Sequence, residues 1–223
     1  QAQLGKLFGT WKAPEAFARI PVPFQALPVK NETIQTPDKQ MAFFGAGTAF
    51  KLSDTDADFP ALMLADYMLG GGFLNGRVPQ RLREKEGLSY GAGTWLDAAK
   101  REDFSALMGY AIYAPQNVSK VENGFTEEVS KAVEKGFTDA ELKLAREGLL
   151  RQLLSQRSND AALAADLAEQ LDLGRTEAFD EAVEAKLKSV SLKEINEVLK
   201  KYVDPKKFTY IKVGDFKTVA APQ

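Results

Sequence analysis

Two hydrophobic rhythms divide this chain. Over residues 29–35, 41–50, 89–98 and 103–113, apolar and polar positions alternate with a period of two, the signature of strands with one buried face. In the second segment Met41, Phe43 and Ala49 share one side, and Phe44, Ala46 and Phe50 the other; in the fourth, Phe104, Ala106, Met108, Tyr110 and Ile112 share a face. The first two are expected to open a sheet as a pair. Between the second and third, residues 57–69 are apolar nearly all round (Phe59, Leu62, Met63, Leu64, Met68, Leu69), which predicts a helix buried against that sheet. Asp66 is its exception. A buried carboxylate needs a partner, and Arg77 or Arg81 is the expected one.

From Gln116 the rhythm becomes helical for most of the next ninety residues. Thr138-Asp139-Ala140-Glu141 and Ser191-Leu192-Lys193-Glu194 match the capping box and mark helix starts. Leu142, Ala145, Leu149 and Leu153 form one stripe, Leu163, Leu167 and Leu171 a second, and Leu192, Ile195, Leu199 and Tyr202 a third; all are read as core. After Pro205 a last strand, 208–213, returns to the sheet, and Gly214-Asp215-Phe216 leads into a frayed tail. Strands, then helices, then a strand predict an α+β fold, a two-layer sandwich with a largely antiparallel sheet covered by helices.

At 223 residues and 44% hydrophobic composition the length allows one large or two small domains, and the order of elements favours a single domain over 29–223. Residues 1–28 differ: Pro14, Pro21, Pro23 and Pro28 punctuate them as a linker, and the start at Gln1 is that expected of a processed protein or a piece of a longer one. The formal charge of −2, from 29 basic and 31 acidic residues, lacks the basic footprint that nucleic acid or an anionic membrane requires. No apolar run of about 18 residues could span a bilayer, and no signal-peptide layout opens the chain. The absence of cysteine removes disulfide and thiolate chemistry and leaves the compartment open between the cytoplasm and the periplasm or another part of the cell envelope.

The chemistry that the residues exclude is considerable. Without histidine or cysteine the usual zinc donors are missing, and a self-sufficient hydrolase finds neither a nucleophile-base pair nor a G-x-S-x-G elbow. Asp54, Asp56 and Asp58 alternate as in a calcium loop, but position six is Phe59 and position twelve Ala65; carboxylates at a helix N-terminus are the better reading.

Residues 69–91 carry most of the remaining information. Gly70 to Gly72 read as a helix end in the left-handed region. The phosphate-loop template fails because Arg77-Val78 follows Gly76, and the dinucleotide fingerprint fails because a helical pattern precedes the glycines. A helix over 77–86 tolerates Pro79 in its first turn, and Gly87 stops it. Arg83 then sits in the last turn and Tyr90 at the start of the next strand, so a cation and a phenol can converge; taken alone, the residues favour an Arg83 bridged to a nearby carboxylate and a Tyr90 filling core. Gly91 and Gly93 signal either close packing or room for an extended peptide.

The run Leu-Gly-Gly-Gly-Phe at 69–73, followed by Arg-Leu-Arg-Glu-Lys-Glu-Gly-Leu-Ser-Tyr at 81–90, resembles the signature of the non-catalytic half-domains of the insulinase/pitrilysin family of zinc metallopeptidases, which includes the mitochondrial processing peptidases. The likeness extends more weakly from about Pro28 to Gly214, and Leu4 to Trp11 resembles the closing segment of a preceding family domain. The resemblance implies the metallohydrolase-type sandwich of those peptidases. It also implies that zinc belongs to a histidine-bearing partner domain, in the same polypeptide or a separate subunit, since no H-x-x-E-H string exists here and this chain is expected to carry no cofactor. Arg83 and Tyr90 fall on the positions that hold a peptide substrate near that metal. An alternative to that reading is a structural or scaffolding domain of the same fold, as some relatives are within respiratory complexes.

Overall fold

The computed structural model of the chain describes residues 1–217. Helix α1 (Ala2–Phe8) buries none of its side chains, and residues 12–30 then run without regular structure. Strands β1 (Asn31–Gln35) and β2 (Ala42–Lys51) precede helix α2 (Phe59–Asp66), which continues as a π-helical turn, Tyr67–Gly71, and a 3-10 turn, Phe73–Asn75. Helix α3 (Arg77–Pro79) passes into a second π-helical turn, Gln80–Lys85. The hairpin β3 (Ser89–Asp97) and β4 (Phe104–Tyr113) leads to α4 (Val118–Lys135), α5 (Asp139–Arg157), α6 (Asp160–Asp172), α7 (Ala178–Ser189) and α8 (Leu192–Tyr202), and β5 (Thr209–Gly214) closes the fold.

The sheet has the order β1-β5-β2-β4-β3, antiparallel except where β1 runs parallel to β5. This is the expected α+β sandwich with one correction: β1 and β2 do not pair, because β5 lies between them, bonded to both. A returning strand from the far end of the sequence is invisible to local periodicity.

One face of the sheet is sealed. Ala42, Phe44, Ala46 and Phe50 of β2 and Leu107, Ala111 and Tyr113 of β4 are buried beneath the helices, with Phe44 against Phe125 of α4 (ring centroids 5.3 Å) and Phe50 against Tyr202 of α8 (5.4 Å). The other face carries Phe43, Trp95 and Ile211 exposed, and the set Phe104, Ala106, Met108, Tyr110 and Ile112 lies there, only half-buried. Among the described residues, no helical layer covers this face of the sheet.

Both capping boxes form, Thr138 with Glu141 and Ser191 with Glu194. The first and third helical stripes are core or packed on it, but the second is not: Leu167 and Leu171 are exposed, the latter at 79%, while Gln170 between them is buried. An apolar stripe fixes which helix faces match, not whether a neighbour exists to cover them. The expectation of a frayed tail falls on residues 218–223, outside the described residues; Asp215, before them, is held by Gln35 Nε2 at 2.6 Å and the Asp38 N–H at 3.1 Å.

Candidate functional site

The glycine run is required by close approach. None of Gly70, Gly71 and Gly72 adopts positive φ; Phe73 does, at 51°. A Cβ on Gly70 would lie 2.6 Å from the Thr94 backbone nitrogen, one on Gly71 2.6 Å from Asp66 Oδ2, and one on Gly72 2.7 Å from the Tyr67 carbonyl oxygen. The π-helical turn is thereby pressed against β3, an edge strand of the sheet. The expectation of left-handed cap glycines is corrected here: packing on β3 excludes a side chain at Gly70, and Asp66 and Tyr67 of the same helical segment exclude one at Gly71 and Gly72. Gly87, by contrast, ends its helical turn at φ 60° with open space around it.

Asp66 closes this contact. Its carboxylate accepts from Thr94 Oγ1 at 2.6 Å, and burial pushes its pKa up to about 6 against the opposing help of Thr94 and the Leu96 backbone. The expected arginine partners are both engaged elsewhere. Arg77 makes a bidentate bond to Glu141 (2.6 and 2.9 Å) and donates to the Gly136 carbonyl. Arg81 is shared by Glu86 (2.9 Å), Glu127 (2.8 Å) and Glu128 (3.1 Å), which outweigh its burial and hold the guanidinium firmly charged. A hydroxyl, which costs less to bury than a second charge, serves Asp66 instead.

The three aspartates before α2 also separate in role. Asp56 accepts from the Ser53 N–H at 2.6 Å, Asp58 from Lys201 Nζ and Tyr202 Oη, and Asp54 forms a buried two-point pair with Arg175 (2.7 and 2.8 Å). Asp58 occupies the N-cap position of α2 but makes no side-chain cap bond.

Against this background Arg83 and Tyr90 stand apart. Arg83 follows Arg81 by two residues, so the helical turn points them in different directions; Arg81 is consumed by three carboxylates, whereas among the described residues Arg83 has only Glu84 at 3.4 Å and the Phe73 ring, 5.8 Å from its guanidinium carbon. Its side chain is 40% exposed. Tyr90 is 81% exposed. The cause is a bulge: Ser89 pairs with Tyr113 and Ala92 with Ala111, both pairs on the sealed face, so Tyr90 and Gly91 together oppose the single Ile112 and leave on the other side. Ser89 Oγ pins that bulge through the carbonyls of Gly91 (2.7 Å) and Ile112 (2.8 Å). The π-helical turn bearing Arg83 packs against β3, which bears Tyr90. The two neighbouring glycines divide the alternatives: a Cβ on Gly93 would meet the Gly70 carbonyl at 3.1 Å, while Gly91 has nothing within 4 Å.

Phe73 lies beneath Arg83, and Trp95, further along β3, has its ring 6.2 Å from that of Tyr110 on the open face; neither was singled out by sequence. Trp95 could have been found by counting in twos from Gly91 along β3. The residues present do not fit zinc: histidine and cysteine are absent, and among the described residues no group of three or more acidic side chains is placed to hold a metal ion. No described helix is long and apolar enough to cross a membrane.

A sheet with one open face, an edge strand with an outward bulge and an exposed arginine beside it are the features that the comparisons can be set against. The chain belongs to the family of the Peptidase M16 inactive domain, whose model matches residues 1–149. It is 26% identical over 194 residues to the non-peptidase homolog YmxG of Helicobacter pylori, covering 87% of this chain and 44% of that protein. Among solved structures it is similar to the peptidase M16 inactive domain from Pseudomonas fluorescens (TM-score 0.78, 18% identity, 93% of this chain and 47% of that one). A protease from Helicobacter pylori is also similar (TM-score 0.77, 16% identity, 94% and 50%). The chain thus spans about half the length of the relatives it matches.

Proposed function

We propose that this chain is the substrate-binding, non-zinc half of a zinc-dependent peptidase, and that Arg83 and Tyr90 hold a peptide near a metal carried by a histidine-bearing partner domain. The observation that carries the reading is the contrast within one motif: Arg81 is spent on three carboxylates while Arg83 and Tyr90 remain exposed on adjoining elements. Tyr90 Oη donates to the scissile carbonyl as negative charge develops there, a contribution of the oxyanion-hole type. Arg83 donates to a backbone carbonyl of the bound peptide and positions the reacting bond. Residues 1–28 act as the tether from a preceding domain, and the open sheet face is the side available to the partner.

The test is kinetic. The chain alone cleaves no peptide, and combining it with the histidine-bearing partner restores zinc-dependent hydrolysis. In that assembly Tyr90→Phe lowers kcat by about 10²-fold with a smaller change in KM, because the bond strengthens in the transition state. Arg83→Ala raises KM as well, through loss of a ground-state contact. Unchanged kcat and KM for both variants in a folded, zinc-loaded assembly would overturn the assignment. The scaffolding reading would then take its place; the likeness to a relative described as a non-peptidase homolog favours it.

A further inference from the structure

Period-two alternation along β3 places Ala92 and Thr94 on the sealed face of the sheet, and carried back one more step it places Tyr90 there as well. The structure shows the reverse. Tyr90 is 81% exposed, and Ser89 is turned inward at 8%. The bulge inverts the phase of the strand at one residue, and without that inversion the phenol would lie beneath the helices.

Both ends of the inverted segment are fixed. The Leu88 N–H donates to the Leu82 carbonyl at 2.8 Å, and the Leu88 carbonyl accepts from Asn117 Nδ2 at 3.3 Å, while Ala92 pairs with Ala111. Residues 89–91 alone are left to decide which side chain faces out. Among them, Gly91 supplies no side chain, and nothing lies within 4 Å of where its Cβ would stand. Ser89 is different. A polar group turned inward has to find a partner, and the Ser89 hydroxyl shares its one proton between the carbonyls of Gly91 (2.7 Å) and Ile112 (2.8 Å). One of these carbonyls lies on the bulged strand and the other on the residue opposite the bulge, so the hydroxyl ties the two sides of the irregularity together.

We propose that Ser89 is the positioning residue for Tyr90: its hydroxyl holds the bulge that keeps the phenol on the open side of β3, beside the turn that bears Arg83. Its effect on catalysis rests on the substrate-holding reading of Tyr90, whereas the placement of the ring does not. Without the hydroxyl, both carbonyl oxygens lose a donor, and the unbulged pairing of Gly91 with Ile112 and of Tyr90 with Tyr113 competes. That pairing turns the phenol towards the sealed face.

Fluorine NMR of the 223-residue chain labelled with 3-fluorotyrosine tests the placement. The Tyr90 signal is the one missing from Tyr90→Phe, and in wild type it moves between H₂O and D₂O as the signal of an exposed ring does. Ser89→Ala should shift or split that signal and reduce its solvent response, and Ser89→Thr, which keeps the hydroxyl, should restore both. In the zinc-loaded assembly with the histidine-bearing partner, Ser89→Ala should lower kcat about tenfold with a smaller change in KM, because the phenol is no longer held in place. Ser89→Thr should recover the rate, and Ser89→Ala should add no loss to Tyr90→Phe. If Ser89→Ala does not fold, Ser89→Cys, close in size but a weak donor, takes its place in every comparison. An unchanged Tyr90 signal in the folded variant, or an equal loss of kcat in the Tyr90→Phe background, would overturn the positioning role. Wild-type kinetics for Tyr90→Phe together with a displaced signal in Ser89→Ala would overturn the substrate-holding reading and uphold the placement.

Discussion

Replacing Asp66 by asparagine should change how the stability of this domain depends on pH. Asp66 titrates at about 6 in the fold against 3.8 for an ordinary aspartate, because burial beside β3 disfavours its charged form more than the bonds from Thr94 and Leu96 favour it. Between those values the folded chain holds a proton that the unfolded chain has released, so stability falls as pH rises. The group's contribution is fully present below the unfolded pKa and is lost as pH passes through the folded one. At 1.36 kcal/mol per unit the loss is about 3 kcal/mol. This is an upper figure, since a cavity of about 560 Å³ borders Asp66 and admits water that relieves part of the penalty. The amide introduced by Asp66→Asn would keep an acceptor for Thr94 and cannot ionise. Urea denaturation of both proteins at about pH 4 and pH 7.5 provides the assay; the stability gap, wild type minus Asp66→Asn, should move against wild type by about 2 to 3 kcal/mol between them. Taking the gap cancels every group common to both proteins. A gap independent of pH would refute the buried, raised carboxyl.

Gly70→Ala should cost about 2 kcal/mol or more in the same denaturation assay, since its Cβ would strike the Thr94 backbone at 2.6 Å and the sheet cannot give way as a side chain would; wild-type stability would remove the close-approach explanation. Glu141→Ala should cost about 2 to 3 kcal/mol at neutral pH, by opening the Thr138 capping box and leaving Arg77 half-buried without its partner. Burial alone would raise the Glu141 carboxyl, but Arg77 and Thr138 outweigh it and hold it below the usual range, so its contribution should be present above about pH 4.5 and fade as pH falls further; a loss that does not shrink in acid would contradict this. Elemental analysis of the chain prepared without chelators should find zinc well below one per chain, because the donors that zinc normally requires are missing, and a stoichiometric, chelator-resistant zinc would sink that expectation.

Much of the fold was legible. Five strand segments, the buried character of α2 and the starts of α5 and α8 follow from period-two alternation, an all-round apolar run and two capping boxes, each a property of neighbours in sequence. The motif also located Arg83 and Tyr90 at the boundary between a helical turn and a strand, where both are exposed. Helical periodicity could not show which of Arg81 and Arg83 would be left exposed. They stand two apart on the same turn, and which of them three carboxylates consume depends on Glu127 and Glu128 of α4, more than forty positions away.

What the amino-acid order determined by itself is therefore local: where strands, helices and turns lie, and the absence of histidine and cysteine, which removes the usual zinc donors. The tertiary structure decided the rest. It placed β5 between β1 and β2, gave Asp66 a hydroxyl for a partner, and demanded glycine at 70 because backbone meets strand there. It also buried Gln170 while leaving Leu171 exposed. Each of these depends on which distant surface arrives opposite a residue, and hydrophobic periodicity records only that a residue has a face, not what will cover it.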